Sequence, residues 1–204
     1  MSERCLFTVL TDGKDYNIPD PDFRCVSVTP LSADSNRLWW YKMQAFRPDV
    51  AIAGENLLLD VDIVVCNSLD KFWGYNPREL VIIQDFNRRW HPNYDKSNSS
   101  VVKFDRQIAE DVWNKWSTSP ETFMRKYRGD QDWFDGEMTE MKRWPDSWIM
   151  SWKWEVLKGG LMESGKDRYY SDSTRVDPEC SILAFHGKPD PEDVNHEIVL
   201  THWI

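Results

Sequence analysis

The residues of this chain best suited to chemistry are Asp60 and Asp62, two carboxylates in the middle of the apolar run 57–65. Residues two apart on a strand project to the same face of a sheet. Two like charges buried side by side are costly unless a cation compensates them. A divalent metal does so, and a metal with open coordination positions can also bind phosphate. The pair indicates a metal-dependent enzyme acting on a phosphate compound, although the alternation also fits a strand with one solvated face.

A second group of chemistry-bearing residues follows the apolar run 181–184, in the order Phe185-His186-Gly187-Lys188-Pro189. The neutral imidazole of His186 suits a metal that two carboxylates already hold. Gly187 lets the backbone approach a ligand closely, and the Lys188 ammonium suits a phosphate oxygen. An isolated histidine after a strand is most often structural. The functional interpretation therefore depends on the whole motif together with the two aspartates.

A third candidate is the stretch Gly129-Asp130-Gln131-Asp132, which precedes an aromatic pair at 133–134. Acidic residues are favoured at helix N-termini by capping and by the helix dipole, so the stretch predicts the start of a helix. The alternative interpretation is functional, with a carboxylate and an amide held against a reacting centre. The spacing alone does not decide between the two.

These groups are positioned by alternating strands and helices. Strands are predicted over 4–10, 24–28, 57–65 with a break after Asp62, 80–84, 100–104, 149–152 and 181–185. Helices are predicted over 34–47, over 106–116 with Asp105 as N-cap, and from Pro120. The alternation predicts an α/β domain over 1–204, with a mostly parallel central sheet flanked by helices. Ligands bind at the carboxyl ends of such strands, where the polar residues are Thr11, Asp12, Asp60, Asp62, Asp85 and His186.

Composition excludes several classes of protein. A net charge of −9 argues against a general nucleic-acid binder. No apolar run is long enough for a membrane helix, and the N-terminus does not resemble a signal peptide, so we expect a cytoplasmic protein without a membrane span. The cysteines are far apart and form no CxxC pair, which favours reduced core thiols over zinc ligation; they are Cys5, Cys25, Cys66 and Cys180. Most of the 12 tryptophans are expected in the core, with a minority available to stack on a sugar.

The ordered motifs resemble those of GT-A glycosyltransferases, and most closely the family 8-like group that contains glycogenin and the bacterial lipopolysaccharide galactosyltransferases. The motifs that carry the resemblance are Trp39-Trp40-x-Lys42, Phe46-Arg47-Pro48, Leu59-Asp60-Val61-Asp62, Asn98-Ser99-Ser100, Gly129-Asp130-Gln131-Asp132 and Phe185-His186-Gly187-Lys188-Pro189. They extend over about residues 5–190. The resemblance implies a single Rossmann-like domain, nucleotide-binding over about 1–105 and acceptor-binding and catalytic over about 106–204.

The resemblance also implies a reaction. A sugar would be transferred from a nucleoside-diphosphate sugar, with UDP the expected base, to a glycan or another hydroxyl acceptor, with retention of configuration. Mn²⁺ or Mg²⁺ would be held by Asp60, Asp62 and His186 and would bridge the two phosphates. The remaining donor-binding residues would be Thr11, Asp12, Tyr16, Lys42, Val61, Asp85, Asn98, Ser99, Gly187 and Lys188. The residues near the anomeric carbon would be Asp130, Gln131 and Asp132.

Two alternatives remain open at this stage. Ser100 stands where the family usually has glycine, and together with the tryptophan content this allows a degenerate, non-catalytic carbohydrate-binding protein. The DxD motif also occurs in phosphohydrolases of the haloacid-dehalogenase type, where the first aspartate is a nucleophile near the N-terminus. Here the motif begins only at residue 60. The acceptor is expected to bind at 144–154 and 158–173. An equally good interpretation is that the first range packs in the core and the second is a surface loop.

Overall fold

The computed structural model describes residues 5–11, 20–29, 31, 37–91, 93–157 and 176–203. In these residues the strands are β1 Phe7–Thr11, β2 Phe23–Ser27, β3 Glu55–Leu59, β4 Ile63–Val65, β5 Val81–Gln84, β6 Ser97–Asp105, β7 Lys142–Arg143, β8 Ile149–Ser151 and β9 Ile182–Ala184. The α-helices are α1 Arg106–Ser117, α2 Pro120–Lys126, α3 Asp130–Glu137 and α4 Glu197–His202. Short 3₁₀ helices cover Leu38–Phe46, Asp70–Phe72, Phe86–Arg89 and Pro191–Asp193, and a π-helical turn covers Trp152–Val156.

The α/β class is confirmed, but the strands are mixed in direction rather than mostly parallel. In the described residues they form sheets of order β1-β2, β3-β6-β5-β7 and β4-β9-β8. The β3–β6, β5–β6 and β4–β9 pairs are antiparallel, whereas β1–β2, β5–β7 and β8–β9 are parallel. The described residues between β5 and β6 contain no crossover α-helix, and such a direct connection returns the chain antiparallel.

The apolar run 57–65 is not one strand. It divides into β3, which pairs with β6, and β4, which pairs with β9, and the chain changes sheet over Asp60–Asp62. The Asp60 N–H donates to the Ser100 carbonyl at 2.9 Å, and the Phe185 N–H donates to the Asp62 carbonyl at 3.0 Å. The prediction that both aspartates share one face of a strand is therefore wrong, because they lie in a turn held between two sheets.

The helical elements largely follow their predicted positions. The 3₁₀ helix Leu38–Phe46 replaces the α-helix expected over 34–47, whose first residues lie outside the described part of the chain. Asp105 caps α1 as predicted, since its side chain accepts a hydrogen bond from the Ile108 N–H at 2.9 Å. Pro120 stands at the start of α2, where a missing N–H has no cost.

The core is rich in aromatic residues, which confirms that most of the tryptophans are structural. Eight of the 12 tryptophans lie in this core or against it: Trp40, Trp116, Trp133, Trp144 and Trp152 are buried, and Trp113, Trp148 and Trp154 are partly buried against it. Trp40 stacks on Trp116 at 5.1 Å between ring centroids, which joins the 3₁₀ helix Leu38–Phe46 to α1. Among the described helices, none has the length and apolar character needed to cross a bilayer.

Candidate active site

Lys42 is the centre of a network of charged and polar side chains. Its Nζ atom lies 2.7 Å from Asp60 Oδ1 and 3.5 Å from Asp130 Oδ2, and it donates to Ser99 Oγ at 2.9 Å. The Ser99 hydroxyl in turn donates to Asp130 Oδ2 at 2.6 Å. Four residues from four separate predicted motifs therefore meet at one place, although 88 residues separate the first from the last.

The local sequence explains why these side chains converge. The 3₁₀ helix Leu38–Phe46 buries Trp40 and Met43 in the core, which fixes the position of Lys42 between them. On the other side, Gly129 lies directly against Trp39, where an added Cβ would be 3.0 Å from the indole Nε1. The same Nε1 donates to the Arg128 carbonyl at 3.1 Å. The indole therefore holds the turn that presents Asp130, and a larger residue at 129 would displace it.

The charges in this network are unequally compensated. Burial lowers the pKa of Lys42, but the carboxylates of Asp130 and Asp60 outweigh burial and leave that pKa above its ordinary value. Burial, followed by the nearby charge of Asp60, raises the pKa of Asp62 to about 6. Asp60 thus has a cationic partner, while Asp62 lies beside a like charge at a half-buried position.

A cavity of about 880 Å³ opens beside Lys42. The predicted donor-binding residues on its wall are Thr11, Lys42, Asp60, Val61 and Asp62. The rest of the wall is Leu10, Val28, Leu38, Trp39, Tyr41, Leu58, Leu59, Asp190, Pro191, Glu192 and Trp203. Trp39 and Trp203 are 49% and 36% exposed, so both indole rings are accessible to a ligand. A large concave pocket with an apolar wall and a few charged groups is the usual form of a small-molecule site.

The predicted third metal ligand, His186, is not assembled with the two aspartates. Its Nε2 lies 2.7 Å from Ser151 Oγ, and its ring stacks on Phe86 at 5.0 Å between centroids. Within the described ranges, no three His, Cys, Asp or Glu side chains form a group that could hold a metal ion. Carboxylate oxygens such as those of Asp60 and Asp62 are the ligand type that Mg²⁺ and Mn²⁺ prefer, so a metal at this turn stays a prediction.

Two other residues of the His-Gly-Lys-Pro motif are placed by local geometry. Gly187 has φ +67°, in the left-handed region that favours glycine. The Lys188 ammonium is exposed and forms ion pairs with Asp190 and Asp193, the latter at 3.2 Å. Asp190 also lies on the cavity wall. The structure therefore places Lys188 at the rim of the site, paired with an acidic residue of the wall.

The remaining predicted residues divide into those with local roles and those outside the described chain. Asp85 accepts hydrogen bonds from the backbone and side chain of Asn87, and the Asn98 side chain accepts one from the Ser100 N–H. Asp132 pairs with Arg128 at 3.2 Å, because neighbouring residues of α3 project in different directions and only Asp130 faces Lys42. Gln131 is half-buried beside it. Asp12 and Tyr16 lie outside the described residues, as does the segment 158–173.

Sequence reasoning missed the part of the cavity formed by the C-terminal segment. Asp190, Pro191 and Trp203 face the turn with the two aspartates although they are more than 120 residues away in sequence. The sequence contained one indication, since the predicted motif at 185–189 directly precedes this segment. Trp203 itself has no pattern around it that distinguishes it from a core tryptophan.

The fold defined by these elements is one that glycosyltransferases use. The glycosyltransferase GlyE of Streptococcus pneumoniae TIGR4 superimposes with a TM-score of 0.56 at 14% identity, over 83% of this chain and 42% of the GlyE chain. The galactosyltransferase LgtC, solved in complex with donor and acceptor sugar analogs, superimposes with a TM-score of 0.54 at 13% identity, over 90% of this chain and 77% of its own. No protein-family model and no curated protein matches the sequence. The chain thus shares the fold and spans less than half the length of the GlyE chain.

Proposed function

We propose that this chain is a glycosyltransferase whose cavity binds a nucleoside-diphosphate sugar, with UDP as the expected nucleotide. The observation that carries the proposal is the convergence of Lys42, Asp60, Ser99 and Asp130 beside a cavity of about 880 Å³. The shared fold of two solved glycosyltransferases supports it. The cavity volume is in the range of about 300–1,000 Å³ that is typical of small-molecule sites.

The chemistry of the cavity wall suits both halves of such a donor. Apolar side chains such as Leu10, Val28 and Trp203 offer a surface for the flat base and for the C–H faces of sugars. The carboxylates of Asp60 and Asp62 repel a bare diphosphate, since like charges disfavour each other. A nucleotide therefore requires a cation at this turn before it can bind.

Mn²⁺ or Mg²⁺ is the cation that fits two carboxylate oxygens, and we assign Asp60 and Asp62 to hold it. When bound, the ion would act as a Lewis acid that stabilises the leaving diphosphate. His186 remains a proposed ligand on the resemblance alone. Lys188 would turn from Asp190 and Asp193 to the phosphates, since its ammonium is exposed and lies on a flexible four-carbon stem.

Asp130 contacts Lys42 of the cavity wall without lining the cavity itself, and we propose it as the residue of the predicted catalytic stretch that acts on the reacting sugar. It is 2% exposed, and one of its carboxylate oxygens, Oδ2, contacts both Ser99 and Lys42. These contacts fix the orientation of the carboxylate, as expected for a preorganised group that stabilises developing positive charge at an anomeric carbon. Retention of configuration and a hydroxyl acceptor follow from the family resemblance.

A thermal-shift screen of nucleoside diphosphates and nucleotide sugars, each with and without Mn²⁺, tests the proposal. A ligand at 100 times its dissociation constant stabilises by about 2.7 kcal/mol, which is easily measured. We expect stabilisation by a nucleoside diphosphate only with the metal, and its loss in Asp62→Asn. The matched control is Asp111→Asn, which removes an exposed carboxylate on α1. If no nucleoside diphosphate stabilised the chain under any condition, the proposal would be wrong. If a nucleotide sugar bound but was never consumed, the result would favour the non-catalytic carbohydrate-binding alternative.

A further inference from the structure

Two of the cysteines lie next to each other across neighbouring strands. Cys66 directly follows β4, and Cys180 lies two residues before β9. The antiparallel register pairs Val65 with Ile182, and the Cys66 N–H donates to the Ser181 carbonyl at 2.9 Å. The Cys66 thiol also contacts the Cys180 carbonyl, with 3.7 Å between sulfur and oxygen. Cys180 is therefore one residue from the position directly opposite Cys66.

This register is compatible with a covalent link. Cys180 itself lies outside β9, where its N–H donates to the Asp177 carbonyl at 2.9 Å and closes a turn, so its side chain does not follow the alternation of the strand. The direct contact of the Cys66 thiol with Cys180 brings the two residues within reach of a disulfide, whose Cα atoms are about 4.4–6.8 Å apart. Both side chains pack on the same core cluster as Val64 and Leu183, so they point to the same side of the strand pair.

The two thiols also differ in a way that suits oxidation. A hydrogen bond from the Cys180 side chain, aided by the charges of His202 and Lys71, lowers the pKa of Cys66 to about 7. The pKa of Cys180 is raised, first by the same hydrogen bond and then by burial. Cys66 is half-buried and Cys180 is buried. The more accessible sulfur is therefore the more nucleophilic one, with a protonated partner behind it.

We propose that Cys66 and Cys180 are an oxidation site at which a hydroperoxide converts the two thiols into an intramolecular disulfide. The Cys66 sulfur attacks the peroxide, the O–O bond breaks, and a sulfenic acid and one molecule of water or alcohol result. The Cys180 sulfur then attacks the sulfenic sulfur, the S–O bond breaks, and a second molecule leaves as water. Two thiols are oxidised and one peroxide is reduced. The link would close the loop 66–180 at the end of β4 away from Asp62, and it does not depend on the proposed transferase activity.

The remaining cysteines provide internal controls. Cys5 is exposed and Cys25 is half-buried on the β1–β2 sheet, away from β4 and β9 in the pairing of the strands. The experiment uses the full chain with all four cysteines, treated with hydrogen peroxide near neutral pH, alkylated, digested and mapped by mass spectrometry. We expect a Cys66–Cys180 cross-linked peptide, removed by dithiothreitol, to form roughly tenfold faster than Cys5 or Cys25 reacts.

Variants separate the proposed disulfide from other oxidation. In Cys66→Ser, we expect Cys180 to stay alkylatable after the same treatment, because the attacking sulfur is gone. In Cys180→Ser, we expect Cys66 to accumulate sulfenic acid that dimedone traps. The proposal is overturned if Cys66 and Cys180 of the unmutated chain remain alkylatable while Cys5 is oxidised, or if Cys66 gains oxygen atoms without any cross-link. Mapping the unmutated chain gives this answer even if a variant folds poorly.

Discussion

Lys42 Nζ lies 2.7 Å from Asp60 Oδ1, in an ion pair whose side chains are 14% and 23% exposed. Asp62, two residues further, lies beside a like charge, and its pKa is raised to about 6 by burial and by Asp60. Without a bound cation, the charge of Asp60 is therefore stabilised by Lys42, whereas the charge of Asp62 is destabilised by burial and by Asp60. This difference makes their substitutions distinguishable.

We expect Asp62→Asn to stabilise the metal-free protein and Asp60→Asn to destabilise it. Removing the Asp62 charge relieves the unfavourable interaction that raises its pKa, which we put at about 1 kcal/mol after allowance for solvent screening. Removing the Asp60 charge leaves Lys42 with Asp130 as its one ionic partner among the described residues, at a cost of about 2 kcal/mol. Urea unfolding at neutral pH in the presence of a chelator measures both.

The exposed substitution Asp111→Asn serves as the control for these two and should change the free energy of unfolding by less than about 0.5 kcal/mol. Equal destabilisation by both aspartate variants would contradict the description of Asp62 as the uncompensated member of the pair.

Lys42→Met should weaken donor binding and also lower the free energy of unfolding. The substitution leaves Asp60 and Asp130 without their cation, so we expect a loss of about 3 kcal/mol in unfolding free energy and at least about tenfold in affinity for a nucleoside diphosphate. Lys42→Arg keeps the charge and should retain most of the stability. Circular dichroism during denaturation measures the stability, and calorimetric titration measures the affinity. If the Met variant bound the nucleotide with unchanged affinity, Lys42 would have no part in donor binding.

Trp203→Ala should weaken donor binding without affecting the turn with the two aspartates. The indole lines the cavity, and the loss of an aromatic contact of about 1 kcal/mol corresponds to roughly fivefold in affinity. Leu200→Ala is the matched control, because Leu200 lies in the same C-terminal segment and is 63% exposed. If both variants bind the nucleotide as well as the unmodified chain, Trp203 has no part in the site.

Glu137 should make the stability depend on acid pH. Hydrogen bonds from Lys126 at 2.8 Å and from Tyr127 at 2.5 Å lower the pKa of Glu137 from 4.5 to about 2. Because the pKa is lower in the folded chain, this contribution is present above pH 4.5 and is lost as the pH falls toward about 2.

We therefore expect Glu137→Gln to cost about 1 kcal/mol at neutral pH, and the difference from the unmodified chain to shrink steadily below pH 4.5. Urea unfolding at a series of pH values measures it. Glu121→Gln, on the exposed surface of α2, should show no such trend. A constant difference at every pH would mean that the contribution of Glu137 is not electrostatic.

The sequence was sufficient to predict the parts of the site that depend on local chemistry. Asp60 and Asp130 were identified by residue type and spacing, and Lys42 and Ser99 by the resemblance; the structure brings all four together. The N-cap at Asp105 and the start of α2 at Pro120 were predicted because both depend on adjacent residues only.

The parts that failed depend on long-range pairing. Whether 57–65 forms one strand or two is decided by β6 and β9, which lie far along the chain, and no local pattern contains that information. The direction of the strands likewise depends on residues far apart in sequence. Trp203 reaches the cavity because α4 packs near β4, which no local pattern predicts. His186 was assigned as a ligand by its motif, whereas its ring is held by Ser151 and Phe86 from other elements.

The central claim is that the turn with Asp60 and Asp62 binds a nucleoside diphosphate through a divalent cation. Calorimetric titration of UDP into the protein, with Mn²⁺ or with a chelator, and into Asp62→Asn with Mn²⁺, tests it most directly. The account predicts binding to the unmodified chain with Mn²⁺, and at least about tenfold weaker binding both with the chelator and in the variant. Equal affinity for UDP in all three titrations would contradict it.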